Sequence, residues 1–384
     1  MQSLRGKTAF VGAATGFISG AGKHSALEMM ALVAREAAND AGLSLREVDG
    51  LFTGMQTEFL STLAFGEYLG IRPRFSDNNR VGGSSFLCHV QQAALALDAG
   101  LCDVALICYA SNQRSALGRL QTSVAGNWSD MEAPYEARFP VSSYALAAAR
   151  HMHQFGTTRA DLAAVAVSAR KWAQKNPEAF ARDSLSIEQA LAAPMVSDPL
   201  SKLDCCLVTD GAAAVILTRA DRARNLRRKP VYLLGAAAEH WHKQVSAMAD
   251  LCSTAAVETG RRAFAEARLS VNDIDVVQLY DAFTISTVML LEDLGFCPKG
   301  EGGRFVNSGA IAPNGSLPVN TNGGGLSCCH PGMYGLFTLV EAVRQLRGEA
   351  GERQVPDAEI ALCQGSGGVF SSQATNILGT EAAL

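Results

Sequence analysis

The feature that most limits the fold of this chain is a segment that occurs twice. Residues 34–54 read as the end of a helix, then Ala41-Gly42-Leu43-Ser44, then Val48-Asp49, then the strand Gly50-Leu51-Phe52-Thr53. Residues 261–280 repeat the order: a helix, Ala267-Arg268-Leu269-Ser270, Ile274-Asp275, and the strand Val276-Val277-Gln278-Leu279. A second pair follows, with a helix at Leu87–Leu97 before the strand Val104–Ile107 and a helix at Met333–Leu346 before the strand Ile360–Leu362. Two copies of one α/β unit, each unable to cover its own sheet, predict two similar halves packed together. The strands are near-continuous apolar runs, as expected of sheets buried on both faces.

Composition agrees with large α/β cores and excludes several classes. The 384 residues are 48% hydrophobic and 18% charged, with 36 glycines that suit close backbone approaches. A net charge of −4 gives no case for nucleic acid or an anionic membrane surface. No apolar run is long enough for a membrane span and no signal-peptide pattern is present, so the expectation is a cytoplasmic protein with no membrane insertion. The ten cysteines include the adjacent pairs Cys205-Cys206 and Cys328-Cys329 but no C-x-x-C, which argues against a metal site and reads as buried thiols.

The halves divide near Lys229-Pro230, giving 1–230 and 231–384, with residues of about 111–200 inserted in the first. This insertion carries helices near Ser143–Phe155 and Leu162–Gln174 and is expected to act as a lid. The basic loop with Arg222, Arg224, Arg227 and Arg228 reads as solvated. Gly20-Ala21-Gly22 lacks the third glycine of a dinucleotide turn, so no nicotinamide site is expected.

Three segments carry chemistry. Gly323-Gly324-Gly325 leads through Cys328-Cys329 to His330-Pro331-Gly332 and a helix; Tyr280-Asp281-Ala282-Phe283 follows a strand; Cys363-Gln364-Gly365-Ser366-Gly367-Gly368 follows the last strand of the repeat. Glycines admit close ligand approach, helix starts favour negative charge, and an imidazole can donate to an oxyanion.

This ordered trio resembles the thiolase superfamily, whose Asn-Glu-Ala-Phe or His-Asp-Cys-Phe, Gly-His-Pro and Cys-x-Gly-Gly boxes build one active site. Asp210-Gly211-Ala212-Ala213-Ala214-Val215, led into by Pro199–Asp204, matches the family's central strand entry. The resemblance spans essentially the whole chain and implies a duplicated α/β/α/β/α five-layer sandwich. It also implies an acyl-CoA substrate with no separate cofactor, and a homodimer through an edge strand near Cys102–Tyr109. Relatives of the aldolase type further imply a small partner with an OB-fold and a zinc ribbon.

Two positions depart from the acyltransferases. Counting back from Gly100 and Asp103 puts the family's nucleophilic cysteine at Gly83, which offers no thiolate. Cys88 lies five residues along the helix and reads as a core residue. Glycine there, with Tyr280 in the second box, is similar to the steroid side-chain-cleaving aldolases, which break a β-hydroxyacyl-CoA by retro-aldol chemistry. Such a step needs a base at the hydroxyl and donors at the enolate oxygen, but no nucleophile.

The site expectation follows. Tyr280 is the proton acceptor or donor, His330 the enolate stabiliser and Asp281 an orienting partner. Cys363 is either a proton donor to the enolate carbon or a packed residue. Gly83, Gly324, Gly325 and Gly367 are the close-approach positions for the CoA thioester. Arg170-Lys171-Trp172 offers phosphate and adenine contacts or, equally, a solvated helix face. Two other functions stay open: a degradative thiolase or acyltransferase using Cys88, Cys329, Cys363 or direct CoA attack, and a non-catalytic acyl-CoA-binding subunit.

Overall fold

The structure, a computed structural model, describes residues 3–55, 58–116 and 132–384. The first unit of the repeat is α1 (Ala26–Ala41) and β2 (Gly50–Phe52), the second α8 (Ala256–Ala267) and β9 (Val276–Leu279). Their matching turns have the same physical cause. Each helix ends on a left-handed residue, Gly42 at φ 72° and Arg268 at φ 56°. Each next turn is capped by a serine paired with an acid three residues on, Ser44 with Glu47 and Ser270 with Asp273.

The remaining strands are β1 (Thr8–Gly16), β3 (Phe75–Asp77), β4 (Val104–Ser111), the hairpin β5 (Met195–Ser197) with β6 (Leu200–Ser201), β7 (Gly211–Arg219), β8 (Val231–His240), β10 (Ile360–Gly367) and β11 (Ser372–Gly379). The large sheet runs β3-β2-β4-β7-β1-β8-β11-β10-β9. The two half-sheets join edge to edge where β1 meets β8 through Ala9–Tyr232 and Phe10–Val231. Within each half the repeated strands are parallel, β2 to β4 and β9 to β10.

Helices α3 (Ser85–Asp98) and α11 (Gly335–Arg347) form the middle layer, each touching strands of both halves. Helix α1 packs on β1, β4 and β7, and α8 covers β8 and β11. The five layers of the thiolase-type sandwich follow from this arrangement. Helix α9 (Thr284–Asp293), buried along its whole length, starts directly after Phe283.

The insertion supplies α4 (Val141–Phe155), α5 (Arg159–Gln174) and the short α6 (Ile187–Leu191), so both expected helices are present; residues 117–131 of the insertion lie outside the described residues. Helix α4 is tied to α9 by His151, whose Nε2 lies 3.1 Å from both oxygens of Glu292. Lys299 joins the same cluster through Asp293 at 2.6 Å. A buried imidazole–carboxylate contact of this kind holds the insertion to the core.

One expectation is corrected. The segment Cys102–Tyr109 is no edge, because β4 is hydrogen-bonded to β2 on one side and β7 on the other. The edge strand of the first half is β3, which pairs only with β2 among the described strands.

Candidate active site

Strand β9 delivers Tyr280 to the middle of the molecule, with its N–H donating to the Gln364 carbonyl at 3.0 Å. Its hydroxyl lies 3.0 Å from His330 Nε2 and 3.4 Å from the Gly332 carbonyl. The two rings meet edge to face, with centroids 5.6 Å apart. His330 is fixed through its backbone: its N–H donates to Thr209 Oγ1 at 3.0 Å and its carbonyl accepts from Gln113 Nε2 at 2.8 Å. Desolvation pushes the imidazole down to about 4 and lifts the Tyr280 phenol well above its ordinary value. Both groups are therefore neutral near pH 7, and the imidazole keeps a lone pair to accept a proton.

Gly83 stands directly under this pair. A Cβ built at Gly83 would lie 1.8 Å from Cε2 and 2.5 Å from Cζ of Tyr280. The tyrosine ring thus fills the space that a side chain at position 83 would need. The two departures from the acyltransferase pattern are one steric arrangement.

The glycines of the last box close the other side. A Cβ at Gly82 would lie 2.6 Å from the Gly367 Cα, and one at Gly367 would lie 1.7 Å from the Val81 carbonyl. The start of α3 and the end of β10 therefore touch backbone to backbone, so the group that approaches Gly367 here is protein.

Gly324 and Gly325 have a similar role. Gly324, at φ 64°, could not carry a side chain because its Cβ would lie 2.1 Å from Asp281 Oδ2. Asp281 is buried and accepts the N–H groups of Gly325 at 2.6 Å and Leu326 at 3.3 Å. Burial raises its carboxyl to about 7, against the lowering effect of those N–H bonds. Asp281 thus orients the glycine turn before His330, and the N–H of Gly324 goes to Asn322 Oδ1 at 2.8 Å. These donors serve protein acceptors.

Other sequence candidates have partners of their own. Cys363 sits inside β10, fully buried, with Sγ 3.6 Å from the Thr338 carbonyl on α11, and burial pushes its thiol far up. That contact places it in the packed core. Cys88 is also buried and pushed up to about 12. Trp172 is buried with Nε1 donating to the Ile311 carbonyl at 2.9 Å, so it offers no stacking face to an adenine. Arg170 reaches Ser327 Oγ at 3.0 Å instead of lying on a solvated face. Among the described residues no group of three or more His, Cys, Asp or Glu is arranged to hold a metal ion.

Several neighbours were not singled out in the sequence. Tyr144 of α4 stacks on Phe283 at 4.3 Å and donates to the Gly368 carbonyl at 3.0 Å. Gln113 and Thr209 grip His330. Ser84 Oγ lies 2.7 Å from Ser372 Oγ, which lies 2.7 Å from His240 Nδ1. None of these belongs to a box, and only the fold brings them in.

Comparison with known proteins agrees with the geometry. The family model described as "Thiolase C-terminal domain-like" matches residues 237–380. The chain is 36% identical over 366 residues to a 17-hydroxy-3-oxo-4-pregnene-20-carboxyl-CoA lyase of Mycobacterium tuberculosis, covering 90% of this chain and 92% of that one. It is 35% identical over 350 residues to an acetyl-CoA acetyltransferase of Methanothermobacter thermautotrophicus, covering 89% and 91%. Among solved structures it is similar to the Ltp2-ChsH2(DUF35) aldolase, with a TM-score of 0.90, 30% identity and 100% of both chains covered.

Proposed function

Since the chain belongs to the thiolase superfamily, we propose that it is an acyl-CoA retro-aldolase: it breaks the Cα–Cβ bond of a β-hydroxyacyl-CoA through a thioester enolate. The observation that carries this reading is the Tyr280 ring lying in the space of a side chain at Gly83. A nucleophile cannot stand there, and a hydroxyl–imidazole pair stands beside it at 3.0 Å.

The pair works as one proton relay. The substrate hydroxyl passes its proton to the Tyr280 oxygen as Tyr280 passes its own to His330 Nε2. The Cα–Cβ bond then breaks, a carbonyl forms at Cβ, and the electron pair enters the thioester as an enolate. A free phenolate is costly in this buried place, so a concerted handover through a neutral tyrosine is the economical route. The imidazolium formed lies next to the new negative charge and stabilises it. Asp281 acts on the backbone of the turn that holds His330. The alternative acyltransferase reading falls second because burial pushes the Cys88, Cys329 and Cys363 thiols up, away from the thiolate that a nucleophile needs.

Similarity to an aldolase whose name joins two proteins, Ltp2 and ChsH2(DUF35), supports a complex with a DUF35-type partner, and the proposal gives that partner an OB-fold and a zinc ribbon. A homodimer is proposed through the β3 edge. Phe59, Leu60, Leu63 and Tyr68 are exposed next to it, and Thr62 Oγ1 binds the Asp77 carbonyl at 2.9 Å. The reading also carries the two halves 1–230 and 231–384, and a cytoplasmic location. No helix among the described residues is long and apolar enough to cross a membrane.

The test is substrate choice. A panel of β-hydroxyacyl-CoA thioesters is given to the protein, alone and co-expressed with the partner, and free carbonyl product is followed. Carbonyl release without added CoA is expected; thiolysis of β-ketoacyl-CoA that depends on free CoA would contradict the reading.

A further inference from the structure

Retro-aldol cleavage leaves an enolate whose α-carbon must gain a proton before the shortened acyl-CoA departs. Eight of the ten cysteines are buried, while Cys205 and Cys206 are half-buried. Cys205 is turned to the Ser201 carbonyl, with its sulfur 3.3 Å away. Cys206 follows on a segment threaded between two parts of the site. Its N–H donates to the Ala282 carbonyl at 2.8 Å, and the Leu207 N–H donates to the Gly325 carbonyl at 2.9 Å. Cys205 bridges Phe283 in antiparallel fashion, which sets Cys206 across from Ala282 and diagonal to Tyr280. Its sulfur lies within electrostatic reach of the Tyr280 and Tyr144 hydroxyls and of the Asp281 carboxylate. Tyr280 and Asp281 on one segment and Tyr144 of α4 on another therefore flank this half-buried thiol.

We propose that Cys206 is a catalytic residue of the retro-aldol reaction read above, delivering its S–H proton to the α-carbon of the enolate. The inference rests on that reading. The S–H bond breaks, the enolate electron pair forms the new Cα–H bond, and the thioester carbonyl is restored. The proton that His330 received returns through Tyr280 to the sulfur. Hydroxyl hydrogen is thus replaced at carbon with no outside oxidant, reductant or acid. Burial pushes the Cys206 thiol up, which keeps it in the S–H form that a donor needs at neutral pH. The sulfur ends the reaction and does not begin it.

The test uses the full-length protein and Cys206→Ala in D2O, with a β-hydroxyacyl-CoA that releases propionyl-CoA. Carbonyl release in the first turnover and deuterium at the propionyl α-carbon are measured together. The wild type should place one deuterium in a single configuration and exchange the α-proton of added propionyl-CoA. The variant should lose on the order of 10²-fold in that exchange, and lose the single configuration, while first-turnover carbonyl release falls much less. Exchange at the wild-type rate with the same configuration would overturn the proposal. So would an acyl adduct on Cys206, which would make it a nucleophile. If the variant does not fold, Cys206→Ser decides by the same exchange: its loss on the order of 10²-fold is expected, and exchange at the wild-type rate with the same configuration would overturn the inference. A wild type that cleaves no β-hydroxyacyl-CoA refutes the retro-aldol reading itself, a distinguishable result.

Discussion

Adding one methyl group at Gly83 should disable the site through Tyr280 alone. The Cβ of Gly83→Ala would start 1.8 Å from the Tyr280 ring, so the ring must retreat by at least about 1.6 Å to regain ordinary contact. It has little room, being buried with the His330 and Tyr334 rings at centroid distances of 5.6 and 5.9 Å. Overpacking of this kind costs roughly 1–3 kcal/mol of stability. A shift of that size also breaks the 3.0 Å contact to His330, and misplacement by about 1 Å can cost about 100-fold in rate. Urea unfolding and turnover would be measured for Gly83→Ala, Tyr280→Ala and the double variant. In the double variant the methyl group occupies vacated space, so the destabilisation by Gly83→Ala should largely vanish, a coupling of roughly 1–3 kcal/mol. Additive stabilities, or a Gly83→Ala protein with normal turnover, would refute the steric reasoning.

Three further outcomes follow from the same geometry. Tyr280→Phe keeps the ring over Gly83, so stability should change by no more than about 1 kcal/mol while turnover falls on the order of 10²-fold or more; equal losses in both would point to a structural tyrosine. Protonation of His330 removes the acceptor, and its imidazole is held down to about 4. Turnover should therefore fall as pH drops through about 4, and neither His330 nor Tyr280 should add a limb between about 6 and 9, since the phenol is lifted above its ordinary range. A limb near the ordinary histidine value would contradict a desolvated His330. Asp281 is raised from 3.8 to about 7 in the folded chain, so the unfolded state releases its proton first and stability should decline as pH rises from about 4 to about 7. Asp281→Asn should remove that slope in unfolding experiments; an unchanged slope would assign it to other groups.

Much of the fold was legible because the repeat is local. The caps at Ser44 and Ser270 and the matched helix–strand order need only near neighbours in sequence, and both insertion helices carry their own apolar faces. The boxes around Tyr280, His330 and Gly367 were legible as a pattern. What joined Gly83 to Tyr280 was not, because the contact spans distant segments and depends on how the halves close. The same holds for Cys206 and Tyr144, which reach the site from a connecting segment and from the insertion. The edge expected near Cys102–Tyr109 came from the family resemblance and not from the residues, and β4 lies inside the sheet between β2 and β7. Trp172 and Cys363 carry residue types that suggest ligand chemistry, yet their partners are the Ile311 and Thr338 carbonyls of the core. Contacts of this kind belong to the folded chain and not to the residue type.

The central claim is that carbon–carbon cleavage proceeds here with no acyl group on the protein. Intact-mass spectrometry of the polypeptide quenched during turnover of a β-hydroxyacyl-CoA tests it most directly. Unmodified polypeptide accompanied by equimolar carbonyl product and shortened acyl-CoA is the predicted result. An acyl mass added to any cysteine at a rate matching turnover would contradict it.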